Sequence, residues 1–159
     1  MAELEPVRFR IDRVPPEQTY ALRHRVLRPH EPLSALRLPG DDDPSIGAFA
    51  ALAADGEVVG SAIVRPEPCP WRPEEPGAWR LRGMATAEEL RGQGVGSQVL
   101  RATIAYVTLE GGQLIWCNAR VPARTFYQRE GFLVEGAEWD DPQIGPHVTM
   151  WRHVELPED

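Results

Sequence analysis

The chain has 159 residues, 42% apolar and 26% charged, enough for one domain with a real core and too few for a second. A net charge of −7 argues against nucleic acid as a partner, since such proteins present a basic surface. All 17 basic residues are arginines, which removes Schiff-base lysines, P-loop lysines and lysine general bases from consideration.

No window approaches the ~18 apolar residues of a membrane span, and the start, MAELEPVRFRIDRV, lacks the apolar core of a signal peptide. The chain therefore reads as cytoplasmic, without a membrane partner. Cys117, in LIWCN, reads as a small buried hydrophobe, and nothing suggests that it bridges to Cys69 in PEPCP. The four histidines lie scattered and form no cysteine–histidine spacing of a metal site, so no metal is expected.

In chain order, residues 7–14 alternate as a strand does. PPEQTYALRHRVLR, proline first and helix formers after it, predicts a helix of roughly 10–13 residues. Residues 29–45 hold four prolines and DDD and read as a loop with one helical turn near SALRL. IGAFAALA and EVVGSAIVR flank ADG, a hairpin signal. Residues 66–77, with five prolines, form a loop. AWRLRGMAT is a strand. After a glycine turn, apolar residues from Val95 to Val107 recur at helical spacing until Gly111 and Gly112 stop them. QLIWCN is a strand buried on both faces, PARTFYQRE a short helix, and FLVEGAEW and HVTMWRHV two closing strands. The order is that of a mixed α/β sheet with helices on its faces.

The stretch ELRGQGVGSQVL carries the chemistry. Glycines before a helix free the backbone for unusual dihedrals and let a ligand approach unpaired amides at the positive end of the helix dipole. Such a turn binds anions, most often phosphate, and Arg91 adds a guanidinium. It is not a dinucleotide fingerprint, because Ser97 stands where the third glycine belongs, nor a Walker loop, which needs a lysine.

RGQGVG resembles the pyrophosphate loop of the GCN5-related N-acetyltransferases. LRGMAT is similar to that family's fourth strand. NARVPARTFYQREGF is similar to its asparagine-to-FY stretch, with two extra residues between Asn118 and Ala123. The ending EWDDPQIGPHVTMWR resembles a subset with a GPH turn. The resemblance implies a single domain over residues 1–159: a mixed, mostly antiparallel sheet of six to seven strands flanked by about four helices. It implies acetyl-coenzyme A (acetyl-CoA) as co-substrate, with its pyrophosphate on the amides of Arg91, Gly92, Gln93, Gly94, Val95, Gly96 and Ser97. The pantetheine arm would run along Met84-Ala85-Thr86, whose neighbouring strand must splay away. An amide of Met84 or Ala85 would polarise the thioester. Tyr127, beside Phe126, would act as general acid on the leaving thiolate. Asn118, at a strand end, would bind the pantetheine or order a water.

The resemblance implies an amine acceptor, a small molecule or a peptide, and direct attack in a ternary complex is expected because no cysteine lies in the glycine turn or the FY helix. Glu67, Glu88, Glu89 and His147 are candidate bases. Arg23, His24, Arg25 and Arg28 could line the acceptor cleft and select a carboxylate or phosphate; a solvated helix face is the alternative. Trp71 and Trp79 flank a loop that could act as a lid. A homodimer is compatible with the family. The competing reading is a non-catalytic acyl-CoA sensor of the same fold, against which Tyr127 speaks.

Overall fold

The computed structural model describes residues 8–37 and 40–154. Its elements are β1 (Phe9–Arg13), α1 (Tyr20–Leu27), β2 (Gly47–Ala53), β3 (Val58–Pro66), β4 (Ala78–Thr86), α2 (Val95–Leu109), β5 (Leu114–Arg120), α3 (Arg124–Arg129), β6 (Leu133–Asp141) and β7 (Gly145–His153). The seven strands form one sheet in the order β1-β2-β3-β4-β5-β7-β6. Only β4 and β5 are parallel. Val7, expected to open the first strand, lies outside the described residues.

Three α-helices stand where about four were expected; the other helical pieces are short 3-10 turns. The first helix is the clearest difference. Pro16–Thr19 forms a 3-10 turn, tightened by the Thr19 hydroxyl donating to the Pro16 carbonyl at 2.7 Å, and α1 has only 8 residues. It stops at Leu27 because Pro29 pushes Arg28 out of the helical region, to φ −142.

Register assigns every side chain to one of two faces, since paired residues project the same way. On the α2 face, Gly60 lies under Val95 and Val99, and Gly47 lies under Tyr106. The main core sits there: Val95, Val99, Leu100 and Val107 pack on Phe49, Ala51, Ala62, Val64, Leu81 and Ile115. Each buried Val, Leu, Ile or Phe among them contributes about 1.5–3 kcal/mol. The opposite face carries α1, packed on β4 and β3, and a smaller cluster of Ala48, Ala50, Leu52 and Ile63.

One irregularity positions the site. Ser61 faces Ala85 but Ile63 faces Arg82, so β4 spends one residue more than β3. Gly83 takes the bulge at φ +61, and its carbonyl accepts a hydrogen bond from Ser61 Oγ at 2.8 Å.

Candidate active site

β4 and β5 run together only at their beginnings. Ala78, Trp79 and Arg80 pair with Leu114, Ile115 and Trp116; beyond them β4 keeps only β3, and β5 keeps only β7. The β5-facing edge of β4 from Leu81 to Thr86 is open, beginning beside the bulge. Met84, Ala85 and Thr86 thus border a gap of the kind the sequence called for, with backbone groups that need a partner.

The glycine turn stands at the open end. Gly92 (φ +81) and Gly94 (φ +84) are left-handed, and a Cβ on either would meet nothing within 4 Å. These glycines therefore serve backbone shape and approach from outside, not packing. Gly94 is the N-cap of α2, no side chain caps it, and the amides of Gly92 to Ser97 meet no acceptor among the described residues. The amide of Arg91 is already bonded to the Glu88 carbonyl at 3.3 Å, so the free set begins one residue later than expected. Arg91 and Gln93 are exposed, whereas Val95 is buried and fixes the turn to the core. A Cβ at Gly96 would lie 3.3 Å from Thr86 Oγ1 and 3.4 Å from the Phe126 ring, so this glycine lets β4, α2 and α3 converge.

Next to that convergence, Tyr127 is buried between Phe126 and Phe132, with ring centroids 5.1 and 5.2 Å away. Burial, and then the neighbouring Cys117, push its phenol well above the usual value. Burial likewise pushes the Cys117 thiol up to about 12. Both hold their protons at neutral pH. Asn118 goes elsewhere. β5 continues to Arg120, so Asn118 is not a strand end; it pairs opposite Thr149 and is exposed. By alternation it projects to the α1 face, away from Cys117 and Tyr127.

Residues 13–132 match the model of the Acetyltransferase (GNAT) family. The chain belongs to that family. It is 35% identical over 137 residues to "Uncharacterized N-acetyltransferase YitI" of Bacillus subtilis (strain 168), covering 86% of this chain and 90% of that one. An aminoglycoside 6'-N-acetyltransferase complexed with coenzyme A superposes with TM-score 0.73 at 15% identity, covering 94% of this chain and 99% of that one. Ard1 from Thermoplasma volcanium superposes with TM-score 0.72 at 20% identity, covering 93% and 99%. At those identities the likeness shows the fold, here the GNAT acyl-CoA N-acyltransferase fold.

On the α1 face of this GNAT sheet the candidate bases separate. Glu67 is gripped by Arg65 at 2.7 Å and Arg80 at 3.1 Å. Burial works to raise its pKa, but the Arg65 hydrogen bond and the Arg80 charge outweigh it and lower it. A carboxylate so held is a poor proton acceptor. Glu88 and Glu89 are exposed on the turn before the glycines. His147 is buried opposite Arg120 and stacked on Trp139 at 4.8 Å. Its Nδ1 lies 2.8 Å from the Gly145 carbonyl, which can only accept, so Nδ1 carries the hydrogen and Nε2 is the basic nitrogen.

Of the first-helix group, only Arg23 turns inward. Arg25 is exposed, His24 Nε2 sits 2.6 Å from the Glu31 carbonyl, and Arg28 pairs with Glu31 at 3.1 Å. The tryptophan lid does not form. Trp79 is in the core, edge-on to Tyr106, while Trp71 is edge-on to Trp116 and Arg72 caps Trp151 at 3.9 Å. The proline-rich loop is fastened over the paired end of β4 and β5. Sequence reasoning missed Arg82 and Arg120. Arg120 donates to the Leu27 carbonyl and ties the end of α1 to β5. The signal for Arg82 was the alternation in AWRLRGMAT, which sets Arg80 and Arg82 on one face.

Proposed function

We propose that this chain transfers the acetyl group of acetyl-CoA to a primary amine by direct attack in a ternary complex. The observation that carries the reading is the convergence, at one gap, of the open edge of β4, the unpaired amides at the start of α2 and the buried phenol of Tyr127.

The amides of Gly92 to Ser97 receive the pyrophosphate, with the exposed Arg91 guanidinium beside them. The pantetheine lies along Met84-Ala85-Thr86 as an added strand edge. An amide of Met84 or Ala85 polarises the thioester carbonyl, a preorganised donor for the charge that develops on oxygen. The amine nitrogen attacks the carbonyl carbon, the carbon–sulfur bond breaks, and the thiolate takes a proton from Tyr127. The surplus proton on the nitrogen leaves through His147 Nε2 or solvent. Because burial disfavours phenolate, Tyr127 enters each cycle protonated and regains its proton readily. A covalent acyl-cysteine is disfavoured: Cys69 and Cys117 are both free and buried, and the Cys117 thiol is held neutral.

Thermal unfolding tests the donor site. Acetyl-CoA at ~100 times its Kd should stabilise by about 2.7 kcal/mol, roughly 5–10 °C at this chain length, with NAD inert. Equal shifts, or none, would remove the foundation of the reading. Thiol release on adding amines separates a transferase from a sensor, which would bind acetyl-CoA and release nothing.

A further inference from the structure

The α1 face carries a charge pattern that acetyl transfer by itself does not use. Arg65 pairs opposite Arg80, and Ile63 opposite Arg82, so Arg65, Arg80 and Arg82 project from one face. On that face α1 lays Arg23 over Gly83: a Cβ there would come within 2.7 Å of Arg23 Nε. Glu67 ion-pairs with Arg65 and Arg80. Arg82 has no hydrogen bond or ion pair among the described residues. Arg23 is only 6% exposed, its Nε has no partner, and its Nη1 reaches just the Thr19 hydroxyl at 3.4 Å. Asp41 attracts Arg23 through its charge while accepting the Tyr20 hydroxyl at 2.7 Å.

An under-partnered buried guanidinium is costly, and like charges add to the cost. Burial, then the charges of Arg80, Arg65 and Arg23, pull Arg82 down to about 10, with Glu67 opposing. Burial also lowers Arg23. A chain of net charge −7 that gathers such cations beside its open strand holds them for an anion. Their place sets the geometry. Arg82 stands just before the bulge at Gly83, which Met84 follows, and two strand residues span ~7 Å. An anion held there lies a few bonds from an amine reacting beside Met84 or Ala85.

We infer that the acceptor is a small anionic amine, its carboxylate or phosphate clamped between Arg23 and Arg82 on the α1 face. This rests on the transferase reading above. Arginine suits the task because its planar fork grips either anion in two places. Polyamines and other polycations are repelled from the same face.

The test measures thermal unfolding with saturating coenzyme A, which fills the glycine turn, followed by β-alanine, 2-aminoethyl phosphate or propylamine at equal ionic strength. The two anionic amines, or one of them, should raise Tm by at least ~2 °C above propylamine, and the comparison between them separates carboxylate from phosphate. R82Q should abolish that rise. It should also raise the Tm of the free protein by roughly 2–4 °C, since it removes a repelled charge; a merely structural Arg82 would lower it. With whichever anionic amine is acetylated, R82Q should raise KM at least tenfold and leave kcat within about threefold. No anion-specific rise, or an undiminished rise in R82Q, overturns the clamp while the coenzyme A shift keeps the transferase reading standing. Absence of the coenzyme A shift brings down both.

Discussion

In the proposed reading, the two faces of the sheet recognise charge by different means. On the α2 face, a run of amides is freed by left-handed Gly92 and Gly94, and a Cβ on either glycine would meet nothing within 4 Å. On the α1 face, the proposed clamp uses guanidinium groups delivered by separate elements, Arg23 from α1 and Arg82 from β4. Backbone recognition needs a local sequence: a turn, glycines and a helix start. Side-chain recognition needs only that register and a bulge bring distant residues together, and it leaves no contiguous motif.

The largest expected effect lies at the gap between β4 and β5. Tyr127→Phe keeps the buried ring between Phe126 and Phe132 and removes only the hydroxyl. Turnover should fall about 10²-fold, the usual scale for acid catalysis, while the Kd for acetyl-CoA stays within about twofold, because a proton donor acts in the transition state. Unchanged turnover would take the phenol out of the reaction. A matching loss of affinity would make Tyr127 a packing residue of the donor site instead.

Smaller, and confined to the α2 face, is the effect of placing charge on the turn. Gly94→Ala carries left-handed strain of about 1–2 kcal/mol, and Gly94→Asp somewhat less, into space that is open. Only the aspartate adds a negative charge beside the free amides. Calorimetry should therefore show Gly94→Asp binding acetyl-CoA at least about tenfold more weakly than Gly94→Ala, or 1.4 kcal/mol. Equal affinities would mean that the phosphates lie elsewhere and that the backbone face has been misassigned.

The same division governs what could be read in advance. β4 was legible to the residue, as AWRLRGMAT, because its alternation and flanking proline loop are local. The hairpin of β2 and β3 was legible to within a residue, and so was the glycine turn opening α2. The length of α1 was overread, since two prolines favour a helix start but a 3-10 turn satisfies them equally well. Asn118 was read as a strand end, but β5 runs on to Arg120, and its pairing opposite Thr149 puts it on the face opposite Cys117. The bulge at Gly83 looked like one more strand residue, although it opens the gap and seats Arg23. Nothing in RHR marks which arginine turns inward; that follows from where α1 crosses β4.

The mildest prediction uses neighbours on β5 that face opposite ways. Asn118 is exposed, whereas Cys117 is buried against the α2-face core with its pKa raised by burial from 9.0 to about 12. In the unfolded chain the thiol ionises near 9, so between pH 9 and 12 the unfolded state holds fewer protons than the folded one. Stability contributed by the neutral thiol is therefore complete below pH 9 and is lost as pH climbs toward 12, with a slope of at most ~1.4 kcal/mol per pH unit. Tyr127, also raised, adds its own loss above pH 10. Denaturant midpoints of Cys117→Ala should fall less steeply between pH 9 and 10 than those of the wild type, whatever the constant offset from the lost sulfur. A variant at the exposed neighbour, Asn118→Ala, should leave the wild-type slope in place. Identical slopes for all three proteins would mean that water reaches Cys117, and the contrast between the buried and the exposed neighbour on β5 would fail.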